Sequence, residues 1–220
     1  MQERVKRMQR PRWWTWAVWI AVLVPGPAVL GVLVSDFVLG TRFLGSNPVK
    51  EGELVLGQWT IKYLVAALAV TPARRLLGWN WLQRDRRTFG LAAFFYGLTH
   101  FLWYALLDIQ LDGAELAKDL TKRTYIIVGF TALLVMLPLA ITSTRAAIAR
   151  LKRRWVMLHR LVYVVPVLGI IHWWMSVKAD VAQPILYSLI FALLLGWRGW
   201  RYVEANRSRG LAATVHNGPD

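Results

Sequence analysis

Three of the four histidines in this chain, His100, His159 and His172, stand in strongly apolar surroundings. A titratable ring in hydrocarbon is costly enough that an intramembrane histidine is a functional hypothesis by default. Neutral imidazole does two things well in such a place: it binds a transition metal through an unprotonated ring nitrogen, or it hands on protons. Cysteine is absent, which excludes disulfides, thiolate-bound iron–sulfur clusters and the C-x-x-C-H attachment of a covalent haem. Neither a G-x-G-x-x-G nor a Walker sequence occurs, and no internal repeat is read from the residues. Lys62 is a further charge in an apolar run; it can snorkel or pair, and it is assigned no role.

The elements that carry these residues are set by composition. Of 220 residues 56% are hydrophobic and 13 are tryptophan, more apolar surface than a soluble domain of this size readily covers. Apolar runs fall at Trp13–Val34, Leu54–Val70, Thr88–Leu107, Thr124–Ile141, Trp155–Val177 and Val181–Val203, each near the roughly 20 residues a helix needs to cross hydrocarbon. The first begins after a basic start, as a secretory signal would. Its length, its Pro25-Gly26-Pro27 interruption and the lack of an A-x-A site read instead as a retained helix.

The net charge of +15 is distributed as topology requires, so nucleic-acid binding is set aside. Arg4, Lys6, Arg7, Arg10 and Arg12 precede the first run. Arg74, Arg75, Arg84, Arg86 and Arg87 follow the second, and Arg145, Arg150, Lys152, Arg153 and Arg154 follow the fourth. The alternate connections are neutral or acidic, with Asp36, Glu51 and Glu53, then Asp108, Asp112, Glu115 and Asp119, then Lys178 against Asp180. The positive-inside rule then predicts an all-α integral membrane protein, a six-transmembrane-helix bundle with N-terminus and C-terminus cytoplasmic. Residues 1–12 form a basic cytoplasmic start, 13–203 the bundle and 204–220 a flexible cytoplasmic tail, in which His216 is solvated. Trp13, Trp14, Trp155, Trp197 and Trp200 fall near inner boundaries and Trp173 and Trp174 near an outer one, as interfacial anchors do.

Depth then sorts the histidines. His100 precedes Asp108 by eight residues and His172 precedes Lys178 by six, about 12 Å and 9 Å below the outer ends of two helices that run in the same direction. Two level imidazoles on adjacent parallel helices are the arrangement that holds a haem iron from both faces. His159, five residues after Arg154, sits about 20 Å deeper than His172, where a second haem or an inner-side redox site would lie. An ideal helix turns His159 and His172 onto different faces, which Pro166 between them can alter by kinking. Counting back the same interval from His100 reaches Arg86 or Arg87 rather than histidine, so a second bis-histidine haem lacks a partner. The aromatic side chains of Phe94-Phe95-Tyr96 and Phe101-Leu102-Trp103-Tyr104 suit either a porphyrin wall or ordinary packing.

Taken in order, these residues resemble the MsrQ (YedZ) family of the ferric-reductase-like transmembrane group. The likeness runs through Asn47-Pro48-Val49-Lys50, Thr71-Pro72-Ala73-Arg74, Leu98-Thr99-His100, Thr142-Ser143-Thr144, Leu158-His159-Arg160-Leu161-Val162-Tyr163, Ile171-His172 and Ser176-Val177-Lys178. The resemblance implies a haem-b electron-transfer subunit in the bacterial inner membrane, non-catalytic itself. It would take electrons from the quinone pool or a reduced flavin and deliver them to a separate periplasmic molybdenum-containing methionine-sulfoxide reductase that repairs oxidised proteins. It also implies FMN, haem ligation by His100 and His172, and His159 as the third family histidine. With no nucleotide-binding domain, the chain would not accept hydride from a nicotinamide. Two other classes compete: a small proton-coupled transporter using the same histidines as relay groups, and a passive membrane anchor for a periplasmic enzyme.

Overall fold

The computed structural model describes residues 10–177 and 180–216, with side chains up to residue 208. Arg4, Lys6, Arg7, Lys178 and the side chain of His216 therefore lie outside the described residues. All regular structure among the described residues is helical. Five stretches are long and apolar enough to cross a bilayer: Arg12–Val38, Pro48–Leu77, Asn80–Asp108, Thr124–Ile141 and Arg153–Ser176. The sixth expected run, Val181–Val203, falls in a continuous helix over Ala182–His216 that is not among those five.

The first expected span is two helices, α1 (Arg12–Leu23) and α2 (Pro25–Val38). The break follows from Pro25 and Pro27, which have no N–H to offer the carbonyls of Ala21 and Leu23. Neighbouring helices supply part of what is missing. Tyr63 donates its hydroxyl to Ala21 O at 2.6 Å, and Tyr96 donates to Val22 O at 2.8 Å while accepting from Gly26 N–H at 2.8 Å. Tyr96→Phe orphans a carbonyl and an amide in an apolar setting, and is expected to cost about 1–3 kcal/mol, read as a lowered thermal midpoint in detergent. Tyr63→Phe, which removes one bond, is expected to lower it less.

Next come α3 (Pro48–Leu77), a short 3-10 turn (Asn80–Arg84) and α4 (Asp85–Trp103), which runs on through a π turn (Tyr104–Asp108). A surface helix α5 (Gly113–Lys122) leads into α6 (Thr124–Ile141). Beyond α7 (Arg145–Leu151), α8 (Arg153–Leu158) and a 3-10 turn (His159–Tyr163) lie α9 (Val164–Ser176) and α10 (Ala182–His216). The kink expected at Pro166 is thus the 3-10 turn before it: Pro166 has no N–H for the carbonyl of Val162 and crowds it. Helices α3, α4, α6 and α9 pack in a ring, α2 lies against α3, and α10 packs on α3 and α9. Leu56, Leu64, Leu68, Ala93, Met136, Val165 and Phe191 fill the centre, while large apolar side chains such as Trp16, Leu134 and Leu193 face outward, as lipid-facing positions do.

Buried carboxylates fix the two ends. At the arginine-rich end Asp85, 1% exposed, takes Arg10 at 2.7 Å and the indole N–H of Trp14 at 2.9 Å, tying α1 to α4. At the opposite, acidic end Asp119 is fully buried between the hydroxyl of Tyr104 and Arg123 Nε, the latter 2.8 Å away as a charge contact. This clasp holds α5 against the π turn, a backbone irregularity that often marks functional sites.

Candidate cofactor site

His100 projects from α4 and His172 from α9, and the ring of helices brings them together: their ring centroids are 6.2 Å apart with planes crossed at 77°. Each imidazole is held the same way. His100 Nδ1–H donates to the backbone carbonyl of Glu53 on α3 at 2.8 Å, and His172 Nδ1–H donates to that of Tyr125 on α6 at 2.7 Å. Because a carbonyl only accepts, each Nδ1 carries a proton, and in the neutral form of the ring the lone pair lies on Nε2. Imidazoles that ligate a metal are oriented by this kind of bond.

Glycine provides the seat for each ring. A Cβ on Gly57 of α3 would stand 3.2 Å from the His100 ring, and one on Gly129 of α6 would stand 2.6 Å from His172 Nδ1. Any other residue at 129 would push His172 off its acceptor. The two histidines share a cavity of about 220 Å³, also lined by Gly97, Phe101, Tyr104 and Gly169, with Lys50 and Arg123 among its polar residues. Two metal–imidazole bonds of about 2 Å each, extended by the radius of either ring, span about 6 Å. The separation, the tautomers and the glycine-cleared space together fit an iron held from both sides.

His159 is placed apart from this pair. It stacks on Trp155 with centroids 3.9 Å apart, and its Nε2 lies 3.0 Å from Thr142 Oγ1. The Thr142 hydroxyl spends its proton on Pro138 O at 2.6 Å, so it accepts from His159 Nε2–H and leaves the lone pair on Nδ1, the reverse of the other two. His159 lines a second cavity of about 1070 Å³ at the arginine-rich end, with Arg75, Arg86, Arg87, Arg160, Arg198 and Arg201 and no acidic residue. Thr71 Oγ1 is buried there without a hydrogen-bond partner among the described residues.

Of the aromatic candidates, Phe101 and Tyr104 line the histidine cavity and Phe94 the basic one. Tyr96 instead closes the break before α2, Trp103 donates to Val49 O at 2.8 Å, and Phe95 faces outward. Lys62 lies 4.4 Å from the Trp59 ring centroid and lines neither cavity. Sequence reasoning missed the two acceptor carbonyls and the glycines. For Gly97 and Gly169 a signal was present: Gly-x-x-His occurs at both 97–100 and 169–172.

The helical ring falls in the class of ferric-reductase-like transmembrane components. The family model described as "Ferric reductase like transmembrane component" matches residues 52–170, most of that ring. Over 200 residues the chain is 48% identical to the protein-methionine-sulfoxide reductase heme-binding subunit MsrQ of Ralstonia nicotianae, covering 89% of each. The MsrQ proteins of Xanthomonas oryzae pv. oryzae and Xanthomonas campestris pv. campestris are 44% and 46% identical over 170 and 169 residues, 77% of this chain and 78% of theirs. The chain belongs to the MsrQ family.

Proposed function

We propose that this chain is a haem-b electron conduit of the bacterial inner membrane, ligating iron through Nε2 of His100 and His172. The observation that carries the reading is the pair of imidazoles 6.2 Å apart, both with Nδ1–H tied to a backbone carbonyl. When bound, haem b supplies reversible one-electron transfer at its iron. The chain's own residues orient the two ligands, exclude water with apolar helix faces, and offer Lys50 and Arg123 as cations for the propionate carboxylates.

In this reading α10 contributes the sixth span, and both termini lie in the cytoplasm because the arginine-rich connections stay inside. The basic cavity with His159 then opens toward the donor. Its arginines and the unpaired Thr71 hydroxyl suit an anionic or carbonyl-bearing electron carrier, FMN or a quinone from the pool. The acceptor is a separate periplasmic molybdenum-containing methionine-sulfoxide reductase, so the conduit itself is not the catalyst. The transporter reading is less well supported, since proton relay needs ring nitrogens that exchange with further acceptors, and both Nδ1–H bonds end at main-chain carbonyls.

The test is a pyridine-haemochrome assay with a protein determination on the purified chain, followed by dithionite reduction in liposomes and addition of the reductase with methionine sulfoxide. A red protein whose reduced haem is reoxidised only in the presence of both partner and substrate is the expected result. Colourless protein from haem-replete cells defeats the proposal. His159→Ala counts the sites: undiminished haem means a single haem, and loss of half assigns a second to the basic cavity.

A further inference from the structure

The two halves of the histidine site are copies. Glu53, Gly57, Gly97 and His100 recur as Tyr125, Gly129, Gly169 and His172, each at an offset of 72 (172 − 100). In both copies the histidine bonds a carbonyl 47 residues upstream on the partner helix. The partner helix supplies a seat glycine four residues after that carbonyl, and the ligand helix supplies another glycine three residues before the histidine. Leu54-Val55-Leu56-Gly57 answers Ile126-Ile127-Val128-Gly129, and Gly97-Leu98-Thr99-His100 answers Gly169-Ile170-Ile171-His172. So sparse a correspondence is not read as a repeat in the sequence; it emerges once α3–α4 and α6–α9 are seen to pack as equivalent pairs.

Gly57 and Gly129 are explained by the imidazoles that lie on them. Gly97 is not explained by the protein's own packing, and Gly169 only by a single contact. A Cβ at Gly97 would meet nothing nearer than Thr60 Cγ2 at 3.4 Å, an ordinary contact, and one at Gly169 would meet Ile61 Cδ1 at 3.2 Å, a tight contact that a few tenths of an ångström of movement at the end of that side chain relieves. Mid-helix glycine is unfavourable by about 1 kcal/mol against alanine, and here it occurs twice at equivalent positions, each one turn from a histidine on the wall of the same cavity. We infer that Gly97 and Gly169 are positioning residues that leave room on each ligand helix for the planar macrocycle between His100 and His172. The inference rests on the haem reading of that cavity.

The experiment compares full-length Gly97→Val and Gly169→Val with wild type and with Gly31→Val, a control on the outward face of α2 where a Cβ meets nothing within 4 Å. Haem affinity is expected to fall about tenfold in the two site variants through overpacking, read as lowered haem per protein at limiting haem, with a monodisperse gel-filtration peak retained and Gly31→Val unchanged. Gly97→Ala and Gly169→Ala, which the packing tolerates, are expected to keep the fold and shift the low-spin electron paramagnetic resonance g values, a readout of axial-ligand geometry. If the valine variants aggregate, the alanine pair decides alone. Wild-type haem content and spectra in the variants that fold, while His100→Ala still loses haem, overturn the inference. A colourless wild type defeats the haem reading instead.

Discussion

Replacing either His100 or His172 with alanine is expected to remove most of the haem absorbance from the purified protein without preventing its insertion. The fold tolerates the change because the lost partner is a carbonyl that helix geometry also serves: Glu53 O and Tyr125 O each face the N–H four residues on, at Gly57 and Gly129. In the proposed reading one of two ligands is lost, and no third histidine lines that cavity among the described residues. Among the described residues no group of three or more His, Cys, Asp or Glu side chains is placed to hold a metal ion. Because each alanine leaves a ring-sized space beside a glycine, added imidazole is expected to restore part of the Soret band, more readily at His172, where Gly129 leaves the tighter seat. Spectra of the two variants, with and without imidazole, are the measurement. Undiminished absorbance in both would remove the ligand pair.

Asp119→Ala is expected to lower stability by about 2–3 kcal/mol, or roughly 4–12 °C in thermal midpoint for a chain of this size. The carboxylate is fully buried, so its removal leaves the Tyr104 hydroxyl, itself 7% exposed, without its acceptor. Arg123 contributes less to the loss because its side chain is 45% exposed and water can re-solvate it. Asp119→Asn keeps an acceptor for Tyr104 and is expected to cost less than half as much. Tyr104 lies one turn beyond His100 on the wall of the same cavity, so Asp119→Ala should also release haem at a lower temperature than wild type. Differential scanning fluorimetry alongside loss of Soret absorbance reads both effects, and an unchanged midpoint would show that the clasp does not hold α5 in place.

The basic cavity gives His159 a setting that its position in the chain did not reveal. Sequence spacing placed it about 20 Å from His172 along one helix and found arginine where a partner histidine was sought. The structure gathers Arg75 from α3, Arg86 and Arg87 from α4, Arg160 beside the histidine, and Arg198 and Arg201 from α10 around one space. Arg198 also donates to the carbonyls of Leu68 and Leu194, which fixes α10 against α3. A cluster drawn from four separate segments has no linear signature, whereas Gly-x-x-His, written twice, does.

Much of the molecule was fixed by its linear order. Thr124–Ile141 was bounded to the residue, and four of the other five runs were located to within a few turns, because hydrocarbon thickness demands a length and the hydrophobic effect demands a composition. The level depth of His100 and His172 was likewise a matter of counting along helices of constant rise. Tertiary structure decided the rest, since it depends on which faces meet. The break at Val24 is stabilised by tyrosines that are remote in sequence, the 3-10 turn puts His159 on Thr142 rather than in line with His172, and two carbonyls choose the tautomers. Counting fixes height within a membrane; rotation about each helix axis, which decides what a side chain touches, is set by neighbours on other helices, for His100 and His172 a carbonyl 47 residues away in each case.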